Sequence, residues 1–320
     1  MSDLVVAAVA LVVSLVATPL AIVVATRTGI VDQPGDLKPQ DRPVPYLGGT
    51  AVFAGALVGV LTGRPSVVVP LAAALILGVA DDRVDLPPLL RLVGQLAIGG
   101  MVAVTCPIHL GGALAAVCLV AVTVLVINGV NLIDGLDMLA AGVSAVAAVG
   151  FALVLHGPGR SVAVGLAAAL AGFLVFNRPP ARIYLGDGGS YLLGTALVVL
   201  LAGAWAPGIG VPTGVAAMAL VALPVAEVAF AVVRRLAGRQ SMLAGDRGHP
   251  YDRLVARGWP RSRASGAYIA VEAVAAAGTV IAVRVGTLLV ALAVDAIIAL
   301  ALVGAAAATG ALSPDQEAPS

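Results

Sequence analysis

Residues 113–137 read Ala-Leu-Ala-Ala-Val-Cys-Leu-Val-Ala-Val-Thr-Val-Leu-Val-Ile-Asn-Gly-Val-Asn-Leu-Ile-Asp-Gly-Leu-Asp. Up to Asn128 the run is uncharged and almost wholly apolar, the texture of a helix in hydrocarbon rather than one wetted along a face. Beyond it, polar residues recur every third position, at Asn128, Asn131, Asp134 and Asp137. On a helix this spacing keeps Asn128 and Asn131 near one face, while Asp134 begins to drift round it. The stretch therefore predicts a membrane helix that delivers a polar cluster to one surface of the bilayer.

The rest of the chain repeats the first half of that pattern. Of 320 residues, 60% are apolar and 11% charged, and the mean hydropathy is +1.07. Soluble domains carry about 25% charged residues, so a water-soluble protein is excluded despite the many glycines and prolines. Eleven apolar runs are expected to span, at 4–26, 46–62, 66–80, 89–106, 113–128, 138–156, 161–176, 189–206, 213–233, 267–284 and 286–308. Ten is the alternative count, because only Arg284 and Gly286 mark the last division. The fold expected is all-α and polytopic: one domain over 1–311 and a disordered tail over 312–320. The first run has no basic flank or convincing cleavage site and reads as a retained span.

Eleven spans place alternate connections on opposite sides. Fifteen of the eighteen Lys and Arg residues fall on one side, leaving Arg64, Arg160 and Arg284 on the other. Basic residues stay in the cytoplasm, so the N-terminus is expected outside. Asp81, Asp82, Asp134, Asp137 and Asp187 share the cytoplasmic side, where the chemistry is expected. The net charge of +1 gives no pull toward nucleic acid. Cys106 and Cys118 lack framework spacing and read as packing residues.

Asp81-Asp82-Arg83-Val84-Asp85 sets two carboxylates side by side, which is costly unless a cation or substrate neutralises them. Hard oxygen ligands of this kind suit Mg²⁺ carrying phosphate. Asn128, Asn131, Asp134 and Asp137 could hold a metal, a phosphate or a sugar. In Tyr184-Leu-Gly186-Asp187-Gly188-Gly189-Ser190, glycines permit close approach of a phosphate to a helix start; an ordinary cap at Asp187 fits equally. No Walker lysine follows. The connection 234–266 holds eight arginines, of which Arg234, Arg235, Arg239, Arg261 and Arg263 read as topology signals. Within it, Asp246-Arg247-Gly248-His249 suggests a phosphate-binding element.

Taken in order, these motifs resemble the polyprenyl-phosphate N-acetylhexosamine-1-phosphate transferase family. The resemblance runs from Asp32 to Leu254 and includes Lys38 with Pro43-Val-Pro-Tyr-Leu-Gly-Gly49, Asp81-Asp82, Asn128–Asp137, Leu185–Ser190, Pro224-Val-Ala-Glu227 and Asp246-Arg247-Gly-His249. It implies a multi-pass enzyme of the cell membrane, active on its cytoplasmic face. Such an enzyme moves a sugar 1-phosphate from a UDP-N-acetylhexosamine to a polyprenyl phosphate, releasing UMP and starting a cell-envelope glycan. It implies Mg²⁺, or Mn²⁺ in its place, held by Asp187. Asp81 and Asp82 would engage the lipid phosphate, with either one deprotonating it, and Asn131 and Asp134 would position the diphosphate. Lys38 would contact phosphate. Asn128, Asp137 and Glu227 would bind substrate, and Arg247 and His249 would sit near the sugar nucleotide. A homodimer is compatible with the resemblance.

Three positions depart from it. His249-Pro250-Tyr251-Asp252 keeps only the first histidine of a histidine-rich loop, Gln40 stands where a histidine is common, and Glu227 replaces an aspartate. The loop argues for GlcNAc 1-phosphate over a phospho-N-acetylmuramoyl-pentapeptide donor, although another UDP-N-acetylhexosamine would use the same chemistry. An intramembrane prenyltransferase would need a second aspartate-rich motif. A transporter or lipid flippase should show internal repeats and midplane broken helices, and no clear repeat is found.

Overall fold

The structure is a computed structural model and describes residues 1–33, 42–109, 111–239, 241 and 248–313. Its helices are α1 (Asp3–Thr28), α2 (Gly48–Gly63), α3 (Val68–Val84), α4 (Pro88–Thr105), α5 (Gly112–Leu132), α6 (Leu139–Val154), α7 (Gly157–Asn177), α8 (Gly186–Ala204), α9 (Val211–Ala217), α10 (Ala222–Ala237), α11 (Pro250–Ala256), α12 (Arg261–Val285) and α13 (Leu288–Thr309). Two short strands, β1 (Val31–Asp32) and β2 (Val44–Pro45), pair antiparallel. The all-α expectation holds. Among the described residues, eight helical segments are long and apolar enough to cross a membrane, and α2 and α6 are apolar but shorter.

All eleven apolar runs coincide with helical structure, and caps explain several boundaries. Between α12 and α13, Gly286 takes φ 73°, which ends one helix, and the Thr287 side chain accepts from the Val290 N–H to start the next. The ninth run is not one continuous helix. A 3₁₀ turn over Met218–Val221 separates α9 from α10, because Pro224 lacks an N–H for the Leu220 carbonyl and its ring crowds that position. Short α11 lies within the connection 234–266, where no helix was expected from the sequence.

Helix α8 forms the centre of the bundle: sixteen of its nineteen residues are buried, against four of twenty-two in the peripheral α13. Exposed Leu289, Leu292, Ile297 and Leu300 give α13 a lipid-facing surface. Close packing around α8 depends on absent side chains. A Cβ on Gly78 of α3 would strike the Asp187 carbonyl, and one on Gly49 of α2 would strike the Gly189 backbone. Both helices therefore seat directly against the first turn of α8. Cys106 and Cys118 are free thiols. Glu272 is buried within α12, with neither carboxylate oxygen bonded among the described residues. The tail expected from 312 lies, from 314 onward, outside the described residues.

Candidate active site

The first turn of α8 is where three parts of the chain meet. Gly186 takes φ 74°, and a side chain there would collide with the Tyr46 carbonyl and the Asp82 carboxylate. That glycine lets the chain turn sharply into the helix. Asp82, at the end of α3, accepts from the Asp187 N–H at 2.9 Å and the Gly188 N–H at 3.1 Å. Helix-terminal N–H groups lack partners within the helix, and the Asp82 side chain supplies one for two of them. The loop before α8 is stitched to α2: Gly48 and Gly49 donate to the Tyr184 and Leu185 carbonyls, both at 3.0 Å.

From α5, Asn131 reaches across to donate to Asp187 Oδ1 at 2.7 Å and Ser190 Oγ at 3.1 Å. Past the helix end, the chain turns through Asp134 to Asp137. Asp137 Oδ2 accepts from the Ala181 N–H at 2.9 Å, and Asn177 bridges the Met138 N–H and the Ile183 carbonyl. These bonds fasten the two loops into the walls of one cavity of about 480 Å³. Asp82, Asn131, Asp134, Asp137 and Asp187 line it, with Arg261 from the start of α12 as the cation among the described lining residues.

Carboxyl groups crowd the cavity. Burial, reinforced by the charges of Asp187 and Asp82, holds the Asp134 carboxyl well above the usual range. Burial and the neighbouring Asp137 and Asp32 carboxylates push the Tyr184 phenol up to about 12, so it stays neutral. A cluster of carboxylates at the open start of a helix invites a cation bridging to an anion. Among the described residues, no three His, Cys, Asp or Glu side chains form a ready-made metal cage. Mg²⁺ does not require one, since one or two carboxylates with water and substrate phosphate complete its shell. Asp187 and Asp134 fit that demand.

Other sequence-expected residues lie elsewhere. Asp81 does not line the cavity: it is buried, accepting from Tyr191 OH at 2.7 Å and the Leu86 N–H at 2.9 Å, with Arg91 Nε at 3.0 Å. Asn128 turns toward α4, donating to Gln95 Oε1 at 2.7 Å and the Val124 carbonyl. Glu227 and His249 are both 2% exposed and absent from the cavity lining. Glu227 accepts from Tyr268 OH at 2.5 Å and bonds His249 Nδ1 at 2.8 Å. The His249 ring stacks on Tyr251 with centroids 5.3 Å apart, and Tyr251 OH donates to the Leu132 carbonyl at 2.8 Å. This buried group props the loop that carries Asp134. Lys38 and Arg247 lie outside the described residues.

Asp32, Tyr46, Asn177, Tyr184 and Arg261 also line the cavity, and none was singled out as a site residue from sequence. Tyr184 borders a glycine motif that could have drawn attention to it. Arg261, one of eight arginines in its connection, carries no such signal in one dimension.

Comparison with known proteins agrees with this geometry. The family model described as Glycosyl transferase family 4 matches residues 65–204. A Bacillus subtilis (strain 168) protein, by name a probable undecaprenyl-phosphate N-acetylglucosaminyl 1-phosphate transferase, is 30% identical across 78% of this chain and 76% of its own length. The undecaprenyl-phosphate alpha-N-acetylglucosaminyl 1-phosphate transferase of Thermotoga maritima is 32% identical across 75% and 78%. The decaprenyl-phosphate N-acetylglucosaminephosphotransferase of Mycolicibacterium smegmatis is 29% identical across 80% and 76%. Similarity over three quarters of both chains, together with the motifs gathered at α8, establishes that the chain belongs to the polyprenyl-phosphate N-acetylhexosamine-1-phosphate transferases of glycosyl transferase family 4.

Proposed function

We propose that this protein transfers N-acetylglucosamine 1-phosphate from UDP-N-acetylglucosamine to a polyprenyl phosphate, releasing UMP. The observation that carries the reading is the single cavity joining Asp82, Asn131, Asp134 and Asp187 at the start of α8, at one end of an apolar bundle. One reactant is soluble and the other anchored in lipid, and such a place serves both. An oxygen of the lipid phosphate forms a bond to the sugar-bearing phosphorus of the donor. The bridging P–O bond breaks, and UMP leaves with its electron pair. Asp134, which has no side-chain hydrogen bond among the described residues, takes the acceptor's proton in its ionised form. Asn131 holds Asp187 in place, Asp82 fixes the helix start, and Arg261 balances donor charge. Bound at Asp187, Mg²⁺ or Mn²⁺ would supply neutralisation of the diphosphate.

The distribution of basic residues supports a cytoplasmic site in the cell membrane, and the product is a lipid-linked diphosphate sugar suited to initiating an envelope glycan. The test is UMP release by purified protein with polyprenyl phosphate, Mg²⁺ and a panel of UDP-sugars. Release with UDP-N-acetylglucosamine above the other donors is expected. Equal or better use of UDP-MurNAc-pentapeptide would replace the donor assignment, and release that persists in EDTA would remove the metal.

A further inference from the structure

The arginines at the cavity end of the bundle differ in what surrounds them. Several are engaged: Arg91 pairs with Asp81 and Asp85, Arg257 donates to the Ala308 and Thr309 carbonyls, and Arg263 stacks over Trp259. Arg42, Arg178 and Arg182 are different. They line a second cavity of about 420 Å³ with Phe176, Pro179 and Pro180. Their side chains form no hydrogen bond or ion pair among the described residues. Three guanidinium groups around one concavity repel one another and favour an anion.

The frame is well fixed. Arg178 and Arg182 flank Pro179-Pro180, whose rings restrict the backbone, and the Arg182 N–H donates to the Phe176 carbonyl at 2.8 Å. Arg42 approaches from beside β2. The cavity also has a lipid edge. Val175, on the last turn of α7, lines it and is 45% exposed, and α7 is long and apolar enough to span. Planar guanidinium forks match phosphate oxygens in pairs. We propose that this cavity binds the phosphate of an anionic phospholipid headgroup, with the acyl chains running along Val175 and the outside of α7. The opposite side of the same loop, through Asn177 and Tyr184, forms a wall of the catalytic cavity, so an occupied site braces that wall.

The test uses purified full-length protein in detergent, titrated with dihexanoyl-phosphatidylglycerol, dihexanoyl-phosphatidylcholine or inorganic phosphate, with thermal unfolding as readout. Saturable stabilisation by phosphatidylglycerol alone is expected. The R178Q/R182Q variant should weaken that affinity about tenfold or more, as loss of paired charge-assisted hydrogen bonds implies. Arg263→Gln, a cation outside the cavity, should leave the affinity unchanged. Arg42→Gln, on a separate segment, gives an independent reading should the double variant fail to fold, and should also weaken binding. Equal affinity for inorganic phosphate would make the ligand a free anion and overturn the lipid assignment. An equal loss in Arg263→Gln, or none in Arg42→Gln and the double variant, would reduce the effect to general surface charge and overturn the site.

Discussion

Replacing Glu227 by alanine separates a prop from a substrate ligand. In the folded protein Glu227 accepts from Tyr268 OH and bonds His249 Nδ1. Alanine would leave both polar groups without that partner in a buried place. Each orphaned buried group costs about 1–3 kcal/mol, which bounds the total near 2–6 kcal/mol. A neighbouring cavity of about 110 Å³ is lined by both Glu227 and Tyr268, and water entering it would bring the cost to roughly 2–4 kcal/mol. At about 2–4 °C per kcal/mol, Tm should fall by about 4–16 °C. The looser His249–Tyr251 stack would weaken the Tyr251 bond to Leu132 and let the Asp134 loop shift. A kcat loss of about tenfold follows if roughly 1.4 kcal/mol of alignment is lost, with KM for the sugar nucleotide nearly constant. Differential scanning fluorimetry and UMP-release kinetics read both quantities. Unchanged Tm with a tenfold higher KM would show that Glu227 touches the donor, and would refute the prop.

Three further outcomes follow from the same geometry. Arg261→Gln should raise KM for the UDP-sugar about tenfold, as expected for a lost charge-assisted contact, with Tm unchanged because the side chain is exposed; an unaltered KM would remove Arg261 from the site. Asp134 has its folded-state pKa raised above its ordinary value of 3.8, so it favours the fold while protonated and its contribution is lost as pH rises through the folded value. Metal-free protein should therefore lose stability as pH rises above the ordinary carboxyl range in thermal scans, and Mg²⁺ should stabilise it more at the higher pH; a Mg²⁺ shift independent of pH would contradict this. Gly78→Ala should cost about 1–3 kcal/mol as overpacking and lower kcat by displacing Asp187, whereas wild-type Tm and kcat would show that α3 and α8 can separate freely.

Much of the fold was legible because bilayer thickness imposes a long apolar run wherever a helix crosses. The division at Gly286 was marked in the sequence by Arg284 and Gly286 alone, and the Thr287 hydroxyl cap that completes it shows only in the fold. The break before α10 was not read, although Pro224 marks it, because an apolar window averages over a lost hydrogen bond. Within the site, Asn131, Asp134 and Asp187 were visible as polar residues in motifs and do meet. Asp82 also reaches the cavity, while adjacent Asp81 is bound to Tyr191 and Arg91. Neighbours on a helix point about 100° apart, and sequence alone did not show which carboxylate the cavity would receive. Asn128, Glu227 and His249 were expected to bind substrate, but none lines the cavity: Asn128 bonds Gln95, and buried Glu227 and His249 bond each other. Arg261 was hidden among other arginines until the fold brought the start of α12 beside Asp137.

The central claim is that the phosphorus next to the sugar moves with it. UDP-N-acetylglucosamine labelled with ³²P at the sugar-bearing phosphate tests this directly, with polyprenyl phosphate as acceptor and Asp187→Asn protein as control. The account predicts label in the lipid extract, unlabelled UMP in the aqueous phase, and neither product from the variant. Label retained in aqueous UDP while the sugar enters the lipid would mean plain glycosyl transfer, and would contradict it.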